Sequence, residues 1–229
     1  MRGGAGSVEA RLSGIDRNEA LRYMGFRGST VPDALCTDLE RCKSLLLQTA
    51  RPRVLWRLFD LLPDGTLAGT DYRPSGQDIR DHLCGCDQVV LMAATLGTEA
   101  EALIRRAQKR DMADAVILDA AGSAAIENVC DNLCADLAET LSPRRLTDRF
   151  SPGYGDLPLS DQETIFRILE LERRIGVSLT AGGLMIPQKS VTAFIGVADE
   201  PPEQRRRGCE SCAHFHDCAF RKERKSCDR

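Results

Sequence analysis

The stretch of residues 149–159 constrains the fold of this chain more than any other. It contains two prolines, which fix φ and lack an N–H donor, and two glycines, which let the backbone approach another group closely. Arg149 and Tyr154 are its only long functional side chains. Directly after it, Ser160 and Glu163 have the spacing of a helix capping box. The sequence therefore predicts a stiff loop joined to a helix.

Two interpretations of this loop are open from the residues alone. A stiff loop that carries Arg149 and Tyr154 suits a small ligand with a carboxylate and a flat ring. In the alternative, the loop is a simple connection, with the arginine in solvent and the tyrosine in the core. Spacing alone favours the connection, because most Pro/Gly loops only join elements.

Hydrophobic periodicity predicts a mixture of helices and strands. Helical spacing covers residues 31–46, 112–140 and 160–175, and Gly176 supplies a helix stop; strand patterns cover residues 53–62, 88–95 and 191–197. A second capping box, Thr98 to Glu101, predicts a helix after the 88–95 strand. Because no regular βαβ rhythm is present, the expected fold class is α+β, a twisted, largely antiparallel sheet with packed helices.

Composition and charge exclude several classes of protein. The chain has 229 residues with a net charge of −3, so a nucleic-acid partner is not expected. No apolar run has the length of a transmembrane helix, and residues 1–18 resemble a flexible leader without the apolar stretch of a signal peptide. A cytoplasmic protein without a membrane partner is the expectation.

The chain has ten cysteines, many for a protein expected in a reducing compartment. Cys130 and Cys134 lie four apart on the 112–140 helical pattern, hence on one face, and burial is favoured over metal ligation. Four others are crowded into the last 21 residues of the chain, where they are spaced Cys209-x2-Cys212-x5-Cys218-x8-Cys227.

Residues 201–229 are expected to form a basic, Cys-rich, metal-binding tail. The Cys-x2-Cys pair places two thiolates on one turn, and Cys218 and Cys227 complete a set of four ligands. Neighbouring lysines and arginines favour the thiolate form. Zinc and a [4Fe–4S] cluster both accept four thiolates, so the spacing leaves the metal open.

Several motifs together resemble a known family. They are Arg149-Phe-Ser-Pro-Gly-Tyr154, Phe166-x-x-Leu169-Glu170, Ile175-Gly176-x-x-Leu179-Thr180 and Met185-x-Pro187-x-x-Ser190-Val191. This combination is similar to the activation domain of vitamin B12-dependent methionine synthase. The match is specific over residues 112–198. It extends more loosely towards the short stand-alone bacterial members, with an expected domain of residues 19–200.

The resemblance implies a site for S-adenosylmethionine (AdoMet). Arg149 would face the carboxylate of the ligand, and Pro152, Gly153 and Tyr154 would shape the rest of the loop contact. Glu127 corresponds to a family glutamate near the ligand and suits an α-ammonium group. The family has Cys-Pro and His after the Gly-Tyr pair; here Asp156 follows shortly and would take over a polar contact.

The resemblance also implies a function. The chain would be a component of a methyltransferase of methionine biosynthesis, presenting AdoMet for reductive remethylation of cob(II)alamin, with no catalytic residue of its own. Cobalamin would be held by a partner, a cobalamin-dependent methionine synthase or a related corrinoid methyltransferase. A flavodoxin or ferredoxin would supply the electron.

Two alternatives come from other functional classes. In the first, the chain is a redox or interaction module for a corrinoid methyltransferase, with an Fe–S cluster or zinc in the tail. In the second, it is a structural chaperone of a corrinoid protein that does not bind AdoMet.

Overall fold

The structure, a computed structural model, describes residues 5–26 and 30–200, with side chains from residue 10 onwards. In chain order the elements are β1 (Ala5–Glu9), α1 (Arg17–Tyr23), α2 (Asp33–Thr49), β2 (Arg53–Asp60), α3 (Gln77–His82), β3 (Gln88–Thr95), α4 (Thr98–Gln108), α5 (Met112–Thr140), β4 (Arg145–Leu146), α6 (Asp161–Leu169), α7 (Leu171–Ile175), β5 (Ser178–Leu179), β6 (Met185–Ile186) and β7 (Ser190–Ala198). The cysteines proposed as metal ligands, Cys209, Cys212, Cys218 and Cys227, lie outside the described residues.

The main sheet has five antiparallel strands in the order β1-β2-β3-β7-β4. The strands β5 and β6 form a separate two-stranded hairpin. The helices pack around the main sheet, so the α+β class and the largely antiparallel sheet expected from the sequence are confirmed.

Both faces of the main sheet are covered. Along β2, Val54, Trp56 and Leu58 belong to a hydrophobic cluster with α1, α2, α4 and α5. Leu55 and Phe59, on the opposite face, belong to a second cluster with α3, α6 and α7. Successive side chains of a strand point to opposite faces, so a strand at the centre of such a sheet must be apolar on both. This explains the uninterrupted apolar run of β3.

The small-residue stretch of α5, residues 120–125, accommodates a lysine. A Cβ added at Gly122 would lie 3.2–3.5 Å from side-chain carbons of Lys189. The Nζ of Lys189 lies 2.9 Å from Asp119 and donates to the Ser123 hydroxyl at 2.9 Å. The absence of a side chain at 122 thus lets the Lys189 stem cross the helix.

Both predicted capping boxes are wrong. Gly97, with φ 85°, occupies the N-cap of α4, so Thr98 is already helical and its side chain makes no cap hydrogen bond. Glu101 instead accepts a hydrogen bond from the Gln188 N–H at 2.8 Å. Ser160 has helical dihedrals and likewise makes no side-chain cap hydrogen bond. Backbone geometry set by packing overrides the local motif here.

The single helix predicted over residues 160–175 is divided at Glu170. This residue has φ 52° and separates α6 from α7. Leu169 and Leu171 on either side are both buried in the second cluster. Residues two apart cannot face the same side of a continuous helix, so the left-handed residue lets both leucines reach the core. Gly176, with φ 70°, ends α7 as predicted.

The prediction of a flexible leader over residues 1–18 is wrong from Ala5 onwards. Residues 5–9 pair with residues 53–57 of β2. Ile15 is 6% exposed and packs in the first cluster, and Asp16 caps α1 by accepting from the Glu19 N–H at 2.8 Å. No helix among the described residues is both long enough and apolar enough to span a bilayer.

Substitution of Gly196 by alanine tests the close packing behind β7. An added Cβ would lie 2.6 Å from Cys86 Sγ and 3.0 Å from Thr147 Cγ2. Overpacking of this kind costs about 1–3 kcal/mol, and we expect a loss of that size in the free energy of unfolding measured with urea. Gly14→Ala is the control, since nothing lies within 4 Å of its Cβ position. Equal losses in the two variants would contradict this packing.

Candidate ligand-binding site

The loop of interest leaves the main sheet directly after Phe150. The Phe150 N–H donates to the Phe194 carbonyl at 2.9 Å, and the Phe194 N–H donates back at 2.8 Å. Pro152, two residues later, is buried and has no N–H with which to continue this pairing. The chain then turns, with the Gly153 N–H donating to the Leu157 carbonyl at 2.9 Å. The loop therefore begins at the point where this segment of the chain stops pairing with β7.

The second glycine of the loop is required by contact with α3. Gly155 has φ 54°, and a side chain there would collide with the carboxylate of Asp78. The close backbone approach predicted from the glycines is therefore made, at this position, to a helix of the same chain.

Asp156 anchors the loop to the start of α3. Its carboxylate accepts the Gln77 N–H at 2.6 Å and the Asp78 N–H at 3.0 Å. In return, the Asp78 carboxylate accepts the Asp156 N–H at 3.1 Å. The two backbone donors hold the pKa of Asp156 below its ordinary value. The structure thus gives Asp156 a capping role that the sequence did not reveal.

The other end of α3 contacts the segment just before the loop. His82 Nε2 lies 2.9 Å from the Asp148 carbonyl and 2.9 Å from the Thr147 hydroxyl. The His82 ring centroid is 5.1 Å from that of Phe150. Through Asp156 and His82, α3 therefore supports the loop segment at both of its own ends.

Arg149 is directed inwards, onto α5. Its side chain is 21% exposed. Nη2 donates to Glu127 Oε2 at 2.7 Å, and Nη1 donates to Asp131 Oδ1 at 2.7 Å. The structure thus brings together Arg149 and Glu127, as the resemblance implied, and adds Asp131. The signal for Asp131 was its position four residues after Glu127, on the same face of α5.

Tyr154 is directed outwards. It is 58% exposed. Its ring lies edge-on to Phe150, with centroids 6.3 Å apart and planes at 75°. The simple-connection interpretation required a solvated arginine and a core tyrosine, and the structure shows the reverse for both. The loop therefore directs its arginine into the fold and its tyrosine towards solvent.

A second tyrosine lies near Glu127. Burial, followed by the negative charge of Glu127, raises the pKa of Tyr23 at the end of α1. The Arg22 guanidinium stacks 4.2 Å from the centroid of the same ring. Sequence reasoning gave Tyr23 no role.

Cys130 and Cys134 behave as packing residues. Cys130 is fully buried, and burial raises the pKa of both thiols. Cys134 Sγ lies 3.6 Å from Arg149 Nη1. Among residues 5–26 and 30–200, no group of three or more His, Cys, Asp or Glu side chains is arranged to hold a metal ion.

Comparison with known proteins agrees with this geometry. The family model described as "Vitamin B12 dependent methionine synthase, activation domain" matches residues 79–203, more than half of the chain. The chain belongs to this family. The match spans Glu127, Asp131, Arg149, Tyr154 and Asp156, so the resemblance carried by the loop motifs is confirmed. No curated protein matches the chain in sequence.

A solved structure also resembles this activation-domain chain. It is described as the crystal structure of the MetH reactivation domain bound to AdoHcy. The two share 17% sequence identity with a TM-score of 0.60, over 89% of this chain and 80% of the other. At this identity the likeness shows a common fold.

Asp156→Ala tests the anchor between the loop and α3. Because the folded-state pKa of Asp156 is lowered, its carboxylate stabilises the fold above the ordinary carboxyl pKa of about 4. This stabilisation is lost as the pH falls through the folded-state value. We expect the urea midpoint of D156A to lie below wild type at pH 7 and the gap to narrow progressively as the pH falls below about 4.

The control for this prediction is Asp136→Ala. Asp136 is exposed on α5, and its ion pair with Arg11 spans 3.8 Å. A gap between wild type and D156A that persists unchanged in acid, or that D136A reproduces, would exclude the anchoring role.

Proposed function

We propose that this activation-domain chain binds AdoMet at the Arg149–Tyr154 loop and presents its methyl group to a cobalamin held by a partner protein. The observation that carries this proposal is the mostly buried Arg149, held by two carboxylates of α5, in the same loop as the exposed ring of Tyr154. The presence of AdoHcy, the demethylated form of AdoMet, in the related reactivation domain supports it.

The charges of the site complement the amino-acid end of AdoMet. A guanidinium binds a carboxylate through two parallel hydrogen bonds, and a carboxylate binds an α-ammonium. The α-carboxylate of AdoMet would replace one acceptor of Arg149. The released Glu127 or Asp131 would then face the α-ammonium. No buried charge loses its partner in this exchange, so binding avoids the penalty of an uncompensated ion.

The accessible ring of Tyr154 suits the other charged end of the ligand. A sulfonium is attracted to the face of an aromatic ring. Because Tyr154 is exposed, a methyl group placed beside it can be reached by a second protein. Methyl transfer to cobalt must occur at bonding distance, which requires the partner to cover this surface.

The role of the chain in this reaction is to position the methyl donor. One electron reduces cob(II)alamin on the partner, and transfer of the AdoMet methyl group then yields methylcobalamin and AdoHcy. Neither step needs a general base from this chain, so orientation of AdoMet is its contribution. The proposed partner is a cobalamin-dependent methionine synthase or a related corrinoid methyltransferase, with a flavodoxin or ferredoxin as electron donor.

Calorimetry with AdoMet tests the binding site. Loss of charge-assisted hydrogen bonds costs about 1.5–3 kcal/mol, so Arg149→Ala should weaken AdoMet binding by about 10- to 100-fold. Tyr154→Ala should weaken it by about two- to fivefold, because an exposed cation–π contact contributes about 0.5–1 kcal/mol. Arg145→Ala is the matched control, an exposed arginine on β4 four residues before Arg149.

The results separate the candidate functions. AdoMet binding that is equal in wild type, R149A and R145A would place the ligand elsewhere. Absence of AdoMet binding by the wild type would exclude the proposal and leave the corrinoid-protein chaperone. Binding of AdoMet without methylation of cob(II)alamin on a reduced partner would restrict the role to AdoMet binding.

The proposal extends to a metal site in the tail, at Cys209, Cys212, Cys218 and Cys227. Its basis is the spacing of four thiols in a basic segment, and both zinc and a [4Fe–4S] cluster fit four thiolates. A cluster would allow the tail to relay the electron that remethylation consumes. Zinc has no redox chemistry and would restrict the tail to a structural or docking role.

Anaerobic purification with metal analysis decides between these outcomes. A brown protein with about four equivalents of iron and sulfide supports relay, and one equivalent of zinc in a colourless protein excludes it. Cys209→Ser with Cys212→Ser should abolish the bound metal, whereas Cys84→Ser should not. A metal-free wild type would exclude the tail site.

A further inference from the structure

A cavity of about 430 Å³ lies beside α3, and none of the residues assigned above to AdoMet lines it. Its walls come from the turn after β2 (residues 61–65), from Arg73 and Pro74, and from Ile79, Arg80 and the turn of residues 83–87. Sites for small molecules have volumes of about 300–1,000 Å³. The cavity is therefore large enough for a ligand of its own.

The walls of this cavity combine apolar and polar side chains. Leu61, Leu62 and Pro63 form one side, and Ile79 and Leu83 contribute another part of the lining. Leu62 is 44% exposed, so its side chain is accessible to a ligand. Apolar surface that is covered by a ligand contributes about 25 cal/mol per Å², so this lining favours a ligand with an apolar body.

The two carboxylates of the cavity lining already have partners. Asp64 accepts hydrogen bonds from the N–H and the hydroxyl of Thr66, at 2.9 and 3.0 Å. Asp87 forms an ion pair with Arg144. The charge of Asp87 is therefore balanced by Arg144, whereas Asp64 has neutral partners and keeps its negative charge.

The two guanidiniums of the lining have no such carboxylate partner. Arg73 makes no hydrogen bond or ion pair with any described residue, and its charge acts on Asp64 only through space. Arg80 donates to the neutral amide oxygen of Gln77, at 3.0 and 3.3 Å. Because Asp87 is paired with Arg144, the two guanidiniums outnumber the one remaining carboxylate, Asp64, and this net positive charge of the lining favours an anionic ligand.

We propose that this cavity is a binding site for a small amphipathic carboxylate. The apolar body would cover Leu61, Leu62 and Leu83, and the carboxylate would accept hydrogen bonds from Arg73 and Arg80, whose planar guanidiniums match it. The site is separate from the AdoMet loop and does not depend on the function proposed for it.

Calorimetry with decanoate, below its micelle-forming concentration, tests this site on the full chain. Decanoate should bind saturably, and decylamine, which has the same chain and the opposite charge, should bind at least tenfold more weakly. The double variant R73Q/R80Q should lose at least tenfold in decanoate affinity. The charge-matched control is R106Q/R110Q, which changes one exposed arginine in the last turn of α4 and one just after it and should stay within twofold of wild type.

Three results would overturn the proposal. They are no saturable decanoate binding by the wild type, equal binding of decylamine, and unchanged affinity in R73Q/R80Q. If far-ultraviolet circular dichroism shows that the double variant is unfolded, Leu62→Glu replaces it. That variant places a negative charge at an already exposed position, and it should weaken decanoate at least tenfold. Retained affinity in L62E would then exclude the site.

Discussion

Burial of both faces of the main sheet is the constraint on which the rest of this structure depends. Helices α1, α2, α4 and α5 cover one face, and α3, α6 and α7 cover the other. Most charged side chains therefore lie at the strand ends, at the sheet edges or on the outer helix surfaces, with Arg57 in the middle of β2 as an exception. The candidate site lies at such an edge, where the pairing of β7 with the segment before the loop ends at Phe150. A side chain of this loop therefore either contacts α5, which lies behind the sheet edge, or extends into the solvent.

Arg149 and Tyr154 show both outcomes of this constraint. A guanidinium that enters a low-dielectric region must have counter-ions, and α5 provides Glu127 and Asp131 on adjacent turns. A tyrosine that faces solvent needs no such partner, and the Tyr154 ring is accessible. Two residues five positions apart in this Pro/Gly loop of the activation-domain family thus point in opposite directions. The helix α3 supports this arrangement through Asp156 and His82.

Sequence patterns predicted the elements whose signal is long or repetitive. The 29 residues of α5 and the apolar run of β3 were predicted at their observed positions, because each pattern reflects burial along the whole element. Short motifs were less reliable. The capping boxes at Thr98 and Ser160 did not form, since the dihedrals of these residues depend on how the preceding chain packs. The break at Glu170 had no local signal, because it exists to bring Leu169 and Leu171 into one core.

By itself, the sequence determined the family, the α+β class and the stiffness of the 149–159 loop, because these follow from residue order and from the limits that proline and glycine place on φ. It also identified Arg149 and Glu127 as related residues through the family motif. Only the tertiary structure decided what each polar group of the loop contacts. Asp156 and Gly155 contact α3, the Arg149 side chain is directed onto α5, and the Tyr154 side chain is directed into solvent. Each of these contacts depends on which helix or strand packs next to the side chain. Those neighbouring elements are formed by residues distant in sequence, so a local pattern does not reveal them.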